Sequence, residues 1–234
     1  MSLKTLVVVP AYNEELNIEK TVNDLKKNAS DVDYIVVNDG SKDQTLEVLK
    51  KNDFNYIDGF CNLGLFGAVQ TGFQLGELDD YDVVIQFDGD GQHQAKYIDT
   101  LVDEIENGAD IVIGSRYVSK KKPWSARMIG SRLISFAIRC MTGEKINDPT
   151  SGFRAYSKQC IRDYAHDMNN PPEPDTLVHM IKMKRKIKEV QVEMSDREFG
   201  ESYLNFGNTI KYMSRMMISI FLIQPFRKGR NNGN

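Results

Sequence analysis

Asp88 and Asp90 stand one glycine apart, directly after an apolar run at residues 83–87, and are the pair in this 234-residue chain best placed to do chemistry. Residues two apart on extended backbone project to the same side, and Gly89 between them permits close approach by a substrate or another strand. Magnesium or manganese held through one or two carboxylates, with phosphate oxygens completing the shell, suits this spacing and implies a diphosphate substrate. The competing reading is a solvated Asp-Gly-Asp-Gly turn. His93 lies three residues beyond Asp90, but no second His or Cys stands at ligand spacing. A solvated or turn histidine is therefore expected rather than a zinc ligand.

Stepping along the chain, short branched runs at 6–9, 34–37, 83–87 and 110–113 predict buried parallel strands. Between them, apolar faces at helical spacing predict helices over 15–27, 44–52, 67–78 and 95–107. Strand and helix alternate, the signature of an open sheet covered on both faces, where ligands gather beyond the carboxyl ends of the strands. Tyr12-Asn13-Glu14, Asn38-Asp39-Gly40 and Asp88-Gly89-Asp90 fall at those ends, so three polar clusters should converge on one edge. After Ser115 the rhythm changes: Lys120-Lys121-Lys122-Pro123 forms a basic break before a helix expected over 125–141. Turn chemistry follows at 148–154, then a helix near 158–165, a proline-rich loop at 171–174 and a strand near 187–194.

The totals narrow the function classes. A chain of this length buries a sizeable core as one large α/β domain. With 30 Lys and Arg against 33 Asp and Glu, net charge is −3, which argues against a general nucleic-acid binder. Cys61, Cys140 and Cys160 form no CxxC pair, so neither a disulfide framework nor a zinc ribbon is indicated and a reducing cytoplasm is the expected home. The first residues run straight into a strand-like segment without a charged leader, and no secretion signal is read there. A dehydrogenase is set aside because G-x-G-x-x-G is missing, the nearest match having Asn62 in its first position.

Taken together, VVVPAYNEE at 7–15, VNDGSKD at 37–43, Asn62-Leu63-Gly64 and FDGDGQH at 87–93 resemble the family 2 glycosyltransferases of GT-A fold. Gly114-Ser115-Arg116-Tyr117, the segment 148–154 and Arg197 to Ser202 are similar to the polyprenyl-phosphate branch of that family, typified by dolichol-phosphate mannose synthase. The resemblance implies an α/β, mostly parallel open sheet flanked by helices. It implies a single catalytic domain over 1–204, with a nucleotide-sugar half at 1–115 and an acceptor half at 116–204, followed by a C-terminal amphipathic helix and basic tail over 205–234. It places Pro10, Ala11, Tyr12, Glu14 and Asp39 around the nucleotide, with Asn62 and Gly64 beside the base or, equally, capping the next helix. Asp88 and Gly89 would meet the diphosphate, and Asp88, Asp90 and Gln92 would hold Mg²⁺ or Mn²⁺. Arg116, Arg127 and Arg197 would bind phosphate oxygens, joined by the Ser131 hydroxyl.

A phosphate acceptor alters the mechanism. An alcohol must lose a proton during attack, whereas a phosphomonoester is already anionic at neutral pH, so no general base is required. Were the acceptor instead a hydroxyl of a lipid-linked or soluble glycan, Asp148 would be the candidate base; its bland alternative is a turn or cap. A third reading is a non-catalytic nucleotide-sugar-binding protein, against which intact Asp88, Asp90 and Arg197 stand.

The resemblance thus implies an inverting transferase moving sugar from a nucleotide diphosphate to a polyprenyl phosphate such as undecaprenyl phosphate, for cell-surface polysaccharide assembly. Two departures matter: Tyr203 stands where the branch often carries lysine, and the appended membrane-spanning pair of many relatives is not present in this sequence. From Asn205 onward there are five basic residues and no acidic ones around the apolar run 216–223, which is too short to span a bilayer. Tyr212, Phe221 and Phe226 with Arg215, Arg227, Lys228 and Arg230 would suit an interfacial helix on the inner face of the plasma membrane. The alternative is a terminal helix packed on its own domain or on a second subunit. Base and sugar identity stay open.

Overall fold

The structure, a computed structural model, describes residues 3–166, 172–196 and 206–227. Its centre is β1 (Thr5–Ala11), seven consecutive residues that are all buried. Both faces of this strand are covered, so alternate side chains enter two different cores. Leu6 and Val8 join one cluster with Phe73, Ile134 and Leu177; Val7 and Val9 join the other with Ile18, Leu49 and Leu101.

The described strands form one sheet. Parallel to β1 lie β2 (Asp33–Asn38) and β4 (Val83–Gln86), and β3 (Tyr56–Asp58) continues beyond β2. On the other side run β5 (Ile111–Ser115) and β7 (Ile187–Gln191), parallel to each other. Between β4 and β5 the chain inserts β6 (Arg154–Ser157), antiparallel to both, giving the order β3-β2-β1-β4-β6-β5-β7. The four strands expected from the branched runs are present with ends shifted by a residue or two, and the strand near 187–194 leaves the sheet after Gln191. Two strands escaped the reading. β3 has three residues, and β6 begins with an arginine and ends with a serine, so neither shows the apolar run or alternation that signals a strand.

Helices α1 (Ile18–Asn28), α2 (Thr45–Lys51) and α4 (Ile98–Glu106) supply the second core cluster. The first is supplied by α3 (Gly64–Leu78), α5 (Ala126–Thr142), α6 (Lys158–His166), α7 (Thr176–Lys182) and the C-terminal α8 (Phe206–Ile218). α5 has a full set of end signals: the Ser125 hydroxyl accepts from the Met128 N–H, and Gly143 closes the helix at φ +80°. α7, unassigned in sequence, is seven residues directly after a proline-rich stretch, too short for periodicity to declare it. The residues after α8 form a π-helical turn, Ser219–Ile223, and a short 3₁₀ turn, Gln224–Phe226.

Close packing of α3 on β1 sets the depth of the first core. A Cβ on Gly72 would lie 2.3 Å from a Val8 methyl, so only glycine lets the helix approach this far. Gly72→Ala is expected to destabilise the chain by about 1–3 kcal/mol through overpacking. Urea unfolding should show that loss reduced when Val8→Ala is added.

Candidate active site

The carboxyl ends of β1, β2 and β4 face a common edge, and their loops are laced together. Asn13, at φ +56°, accepts from the Lys42 N–H at 2.8 Å while its own N–H donates to Ser41 Oγ at 3.0 Å. Glu14 N–H donates to Thr45 Oγ1 at 2.9 Å, and Glu15 accepts from the Gln44 N–H at 2.7 Å. Tyr12 is left 40% exposed at the rim, its ring open to a ligand. Asp39 is buried just past the end of β2, its N–H donating to the Ala11 carbonyl at 2.9 Å. Its Oδ1 accepts from the Leu63 N–H at 2.7 Å, whereas its buried Oδ2 has no partner among the described residues. A buried acceptor without a donor is costly unless a ligand supplies one. The loop 59–63 passes so close that a Cβ on Gly40 (φ +65°) would meet the Cys61 carbonyl carbon at 2.8 Å. Asn62 accepts from the Gly64 N–H at 3.1 Å, so both residues open α3 beside Asp39.

Gly89 lies against the end of β1: a Cβ there would stand 2.9 Å from the Pro10 carbonyl oxygen and 3.6 Å from the Ala11 Cβ. The acidic loop that follows is closed by His93. Its Nδ1 accepts the Asp88 main-chain N–H at 2.9 Å, which puts the ring proton on Nε2, 3.7 Å from Asp88 Oδ2. The imidazole is 6% exposed, stacks on Phe153 at 4.9 Å and meets Phe87 edge-on at 5.4 Å. Of the two expectations, solvated or turn, the structure keeps the turn and overturns the solvent exposure: the ring closes the loop while Phe87 and Phe153 bury it. Asp88 Oδ1 accepts from Gln86 Nε2 at 3.1 Å, and Oδ2 lies where a Cβ on Gly152 would approach to 2.5 Å. Asp90 Oδ1 accepts from the Gln92 N–H at 3.1 Å, and Gln92 Nε2 reaches the Ser195 carbonyl at 3.4 Å, leaving the amide oxygen as the acceptor atom.

The turn between Asp148 and Gly152 brings a second set of polar residues to the same edge. Asp148 is fully buried and bidentate to Arg116, with Nε to Oδ2 at 2.8 Å and Nη2 to Oδ1 at 2.9 Å. Burial alone would raise the Asp148 pKa, but the Arg116 hydrogen bonds and charge outweigh it and hold the carboxyl below its ordinary value. Burial works to lower Arg116 in turn, and Asp148 reverses that, so the guanidinium is held above its ordinary value. The Asp148 N–H donates to Glu189 at 2.7 Å, and the Asn147 N–H and side-chain amide donate to the same carboxylate. Ser131, buried on α5, has its hydroxyl 3.3 Å from Thr150 Oγ1, which donates to Asp148 Oδ1 at 3.3 Å. Arg154 is 1% exposed and donates to the carbonyls of Ser151, Pro172 and Pro149, tying the turn to the segment before α7. Arg127 begins α5 with its side chain outside what the structure describes, and Arg197, Tyr203, Lys228 and Arg230 lie outside the described residues.

The family model for glycosyl transferase family 2 matches residues 6–165. The chain belongs to that family. Among curated relatives, an uncharacterized protein of Methanocaldococcus jannaschii is 34% identical, with 84% of this chain and 83% of that protein covered. The undecaprenyl-phosphate mannosyltransferase of Micrococcus luteus is 30% identical, covering 88% of this chain and 89% of that one. The polyprenol monophosphomannose synthase of Mycolicibacterium smegmatis is 28% identical, covering 91% and 85%. In fold, the chain is similar to glucosyl-3-phosphoglycerate synthase of Mycobacterium tuberculosis, solved with Mn²⁺, uridine diphosphate and phosphoglyceric acid. The TM-score is 0.71 at 17% identity, covering 97% of this chain and 80% of that one.

As a family 2 glycosyltransferase of GT-A fold, the protein is an enzyme, and its oxygen-rich loop fits a divalent cation. Asp88, Asp90 and the Gln92 amide offer hard oxygen donors of the kind such a cation takes, and among the described residues no group of three or more His, Cys, Asp or Glu could hold a metal ion. Sequence reasoning gave Gly152 no place at this loop and read His93 only as a solvated or turn residue, since a 2.5 Å approach and a buried ring depend on segments distant in sequence.

Two outcomes test the site. Gly152→Ala must displace Asp88 Oδ2, and Mn²⁺ affinity in the presence of a nucleoside diphosphate should fall about 10–100-fold, read by the free-ion paramagnetic resonance signal. Asp148→Asn leaves the half-buried Arg116 without its counter-ion, and should cost about 3–5 kcal/mol at neutral pH by urea unfolding. Because the native carboxyl is depressed, its contribution is present above the ordinary carboxylate range and lost as pH falls through the native value. The destabilisation by Asp148→Asn should therefore shrink on acidification.

Proposed function

We propose that this glycosyltransferase moves a sugar from a nucleoside diphosphate to a polyprenyl phosphate, with undecaprenyl phosphate the acceptor in a bacterial setting and surface-polysaccharide assembly the use. The observation that carries this reading is the state of Asp148. Both its oxygens are engaged by Arg116, it is fully buried, and its pKa is held down, so it is a poor proton acceptor. That weakens the glycan-hydroxyl alternative, which needs a base at this position, and favours an acceptor that is already an anion.

On this reading Tyr12 offers a ring face to the nucleotide and the orphan Asp39 Oδ2 accepts a donor from base or ribose. Pro10, Ala11, Glu14, Asn62, Gly64 and Gly89 shape the surrounding wall. Asp88, Asp90 and Gln92 would hold Mg²⁺ or Mn²⁺, which supplies charge neutralisation at the departing diphosphate. On the acceptor side, Arg116 keeps Nη1 for phosphate while Asp148 holds its other edge, and Ser131 adds a hydroxyl. Arg127 and Arg197 would complete that set. Catalysis then consists of holding two phosphorylated substrates in line and screening their repulsion, with inversion at the anomeric carbon.

The lipid would be met from the membrane surface. Among the described residues no helix is long and apolar enough to cross a membrane. Ile218, Phe221, Leu222, Ile223 and Phe226 are exposed, while Met216 and Ile220 are buried against the domain. The two expectations for the C-terminal segment thus fall on different faces of it. Tyr212 packs on the core and Arg215 pairs with Glu173, so neither is free for headgroups as first read. A contact between copies through the exposed face is the competing use.

The test is incubation with Mn²⁺, undecaprenyl phosphate and a panel of radiolabelled nucleotide sugars, followed by organic extraction. Label should enter the lipid phase from one donor. Label appearing only on a glycan hydroxyl, or in no acceptor, would overturn the assignment.

A further inference from the structure

Lys122 sits in the segment leading into α5, half-buried, and its ammonium donates to Ser131 Oγ at 2.9 Å and Ser135 Oγ at 3.4 Å. Among the described residues no carboxylate makes an ion pair with it; the acid whose field reaches it most, Asp148, already has both oxygens on Arg116. Lys120 is the contrast: exposed, and paired with Glu193 at 2.9 Å.

Positive charge is concentrated here. The Lys122 ammonium and the Arg116 guanidinium both lie over the Tyr117 ring, at 5.6 Å and 5.3 Å from its centroid. Arg132 stacks on Trp124 at 4.5 Å and donates to the carbonyl oxygens of Lys122 and Pro123, with no carboxylate of its own among the described residues. Arg116 is matched by the buried Asp148, and the half-buried Glu189 accepts from Asn147 and from the Asp148 N–H, which leaves Lys122 and Arg132 without an acid of their own among the described residues. Burial drives the Lys122 pKa down, Asp148 and Glu189 pull it up, and Arg132 and Arg116 push it down again, with a net lowering. Desolvating an ammonium without a counter-ion is unfavourable, and a dianion arriving beside it would recover that cost.

We propose that Lys122 binds the phosphomonoester headgroup of the acceptor, in an anion pocket completed by the Ser131 hydroxyl and the Nη1 edge of Arg116. Ser135, one helical turn further along α5, donates its hydroxyl to the Ser131 carbonyl at 3.0 Å and serves the ammonium as an acceptor, while Arg116 approaches from the end of β5. A phosphate dianion has three outer oxygens to accept from such a set. This rests on the acceptor being a phosphate, and adds a cation that sequence reading treated only as part of a basic break.

Calorimetric titration of the full chain separates the possibilities. Farnesyl phosphate and inorganic phosphate are titrated into wild type, Lys122→Met and Lys122→Arg, with Mn²⁺ and uridine diphosphate titrated separately as a donor-side control. Lys122→Met should weaken both phosphates by tenfold or more, Lys122→Arg should restore binding to within a few-fold, and the control should not move. Tighter binding of farnesyl phosphate than of inorganic phosphate places the ligand on a lipid; equal binding places it on a soluble phosphate ester. Unchanged phosphate binding in Lys122→Met, no phosphate binding by wild type, or equal loss on donor and acceptor sides would overturn the proposal. The lipid-transfer reading fails separately, when wild type binds these phosphates through Lys122 but moves no label into lipid.

Discussion

The insertion of β6 antiparallel between β4 and β5 is the constraint on which the site depends. Because this strand runs against its neighbours, the turn that precedes it emerges at the same edge as the carboxyl ends of the parallel strands. Gly152 is thereby set against Asp88, Phe153 against His93, and Asp148 against Arg116. A parallel strand in that place would deliver its preceding loop to the opposite edge, and the acidic loop and the acceptor residues would lie a strand's length apart.

Within that frame, polar groups are fixed by burial as much as by bonding. His93 could fill a solvent-facing turn in many proteins; here two aromatic rings hold it so that its acceptor nitrogen closes the Asp88 loop. A closed loop fixes the Asp88 main chain and with it the direction from which the carboxylates leave the strand end. Across the edge, the Arg116–Asp148 pair is buried on the acid side and more open on the guanidinium side, at 0% and 21% side-chain exposure. That asymmetry lets the carboxylate act as an anchor and turns the remaining guanidinium edge outward.

The C-terminal segment shows how one amphipathic stretch meets two demands. Met213 lies against Gly130 of α5, where a Cβ would come within 2.8 Å of its sulfur, and Ser219 and Gln224 bond to Asp175 at the start of α7. The opposite face keeps large apolar side chains in the open. The segment docks beside α5, the helix that carries Ser131 and Ser135, with those side chains turned away from the domain.

The alternation of branched runs with helical faces was legible in the linear chain, because a doubly covered parallel sheet imposes continuous apolar strands and leaves its polar ends at one edge. The Asp88–Asp90 doublet, the Asp39 loop and the family were legible for the same reason: they are local spellings that follow strand ends. What the chain could not declare was the direction of a four-residue strand beginning with a buried arginine, the stacking that makes His93 a fastener, or the pairing that takes Asp148 from candidate base to anchor. Nor could it distinguish Lys122 from its two lysine neighbours. Each of these is decided by partners far away in sequence, since burial, desolvation and hydrogen-bond satisfaction are properties of an enclosed volume and come into being only when the chain has closed around it.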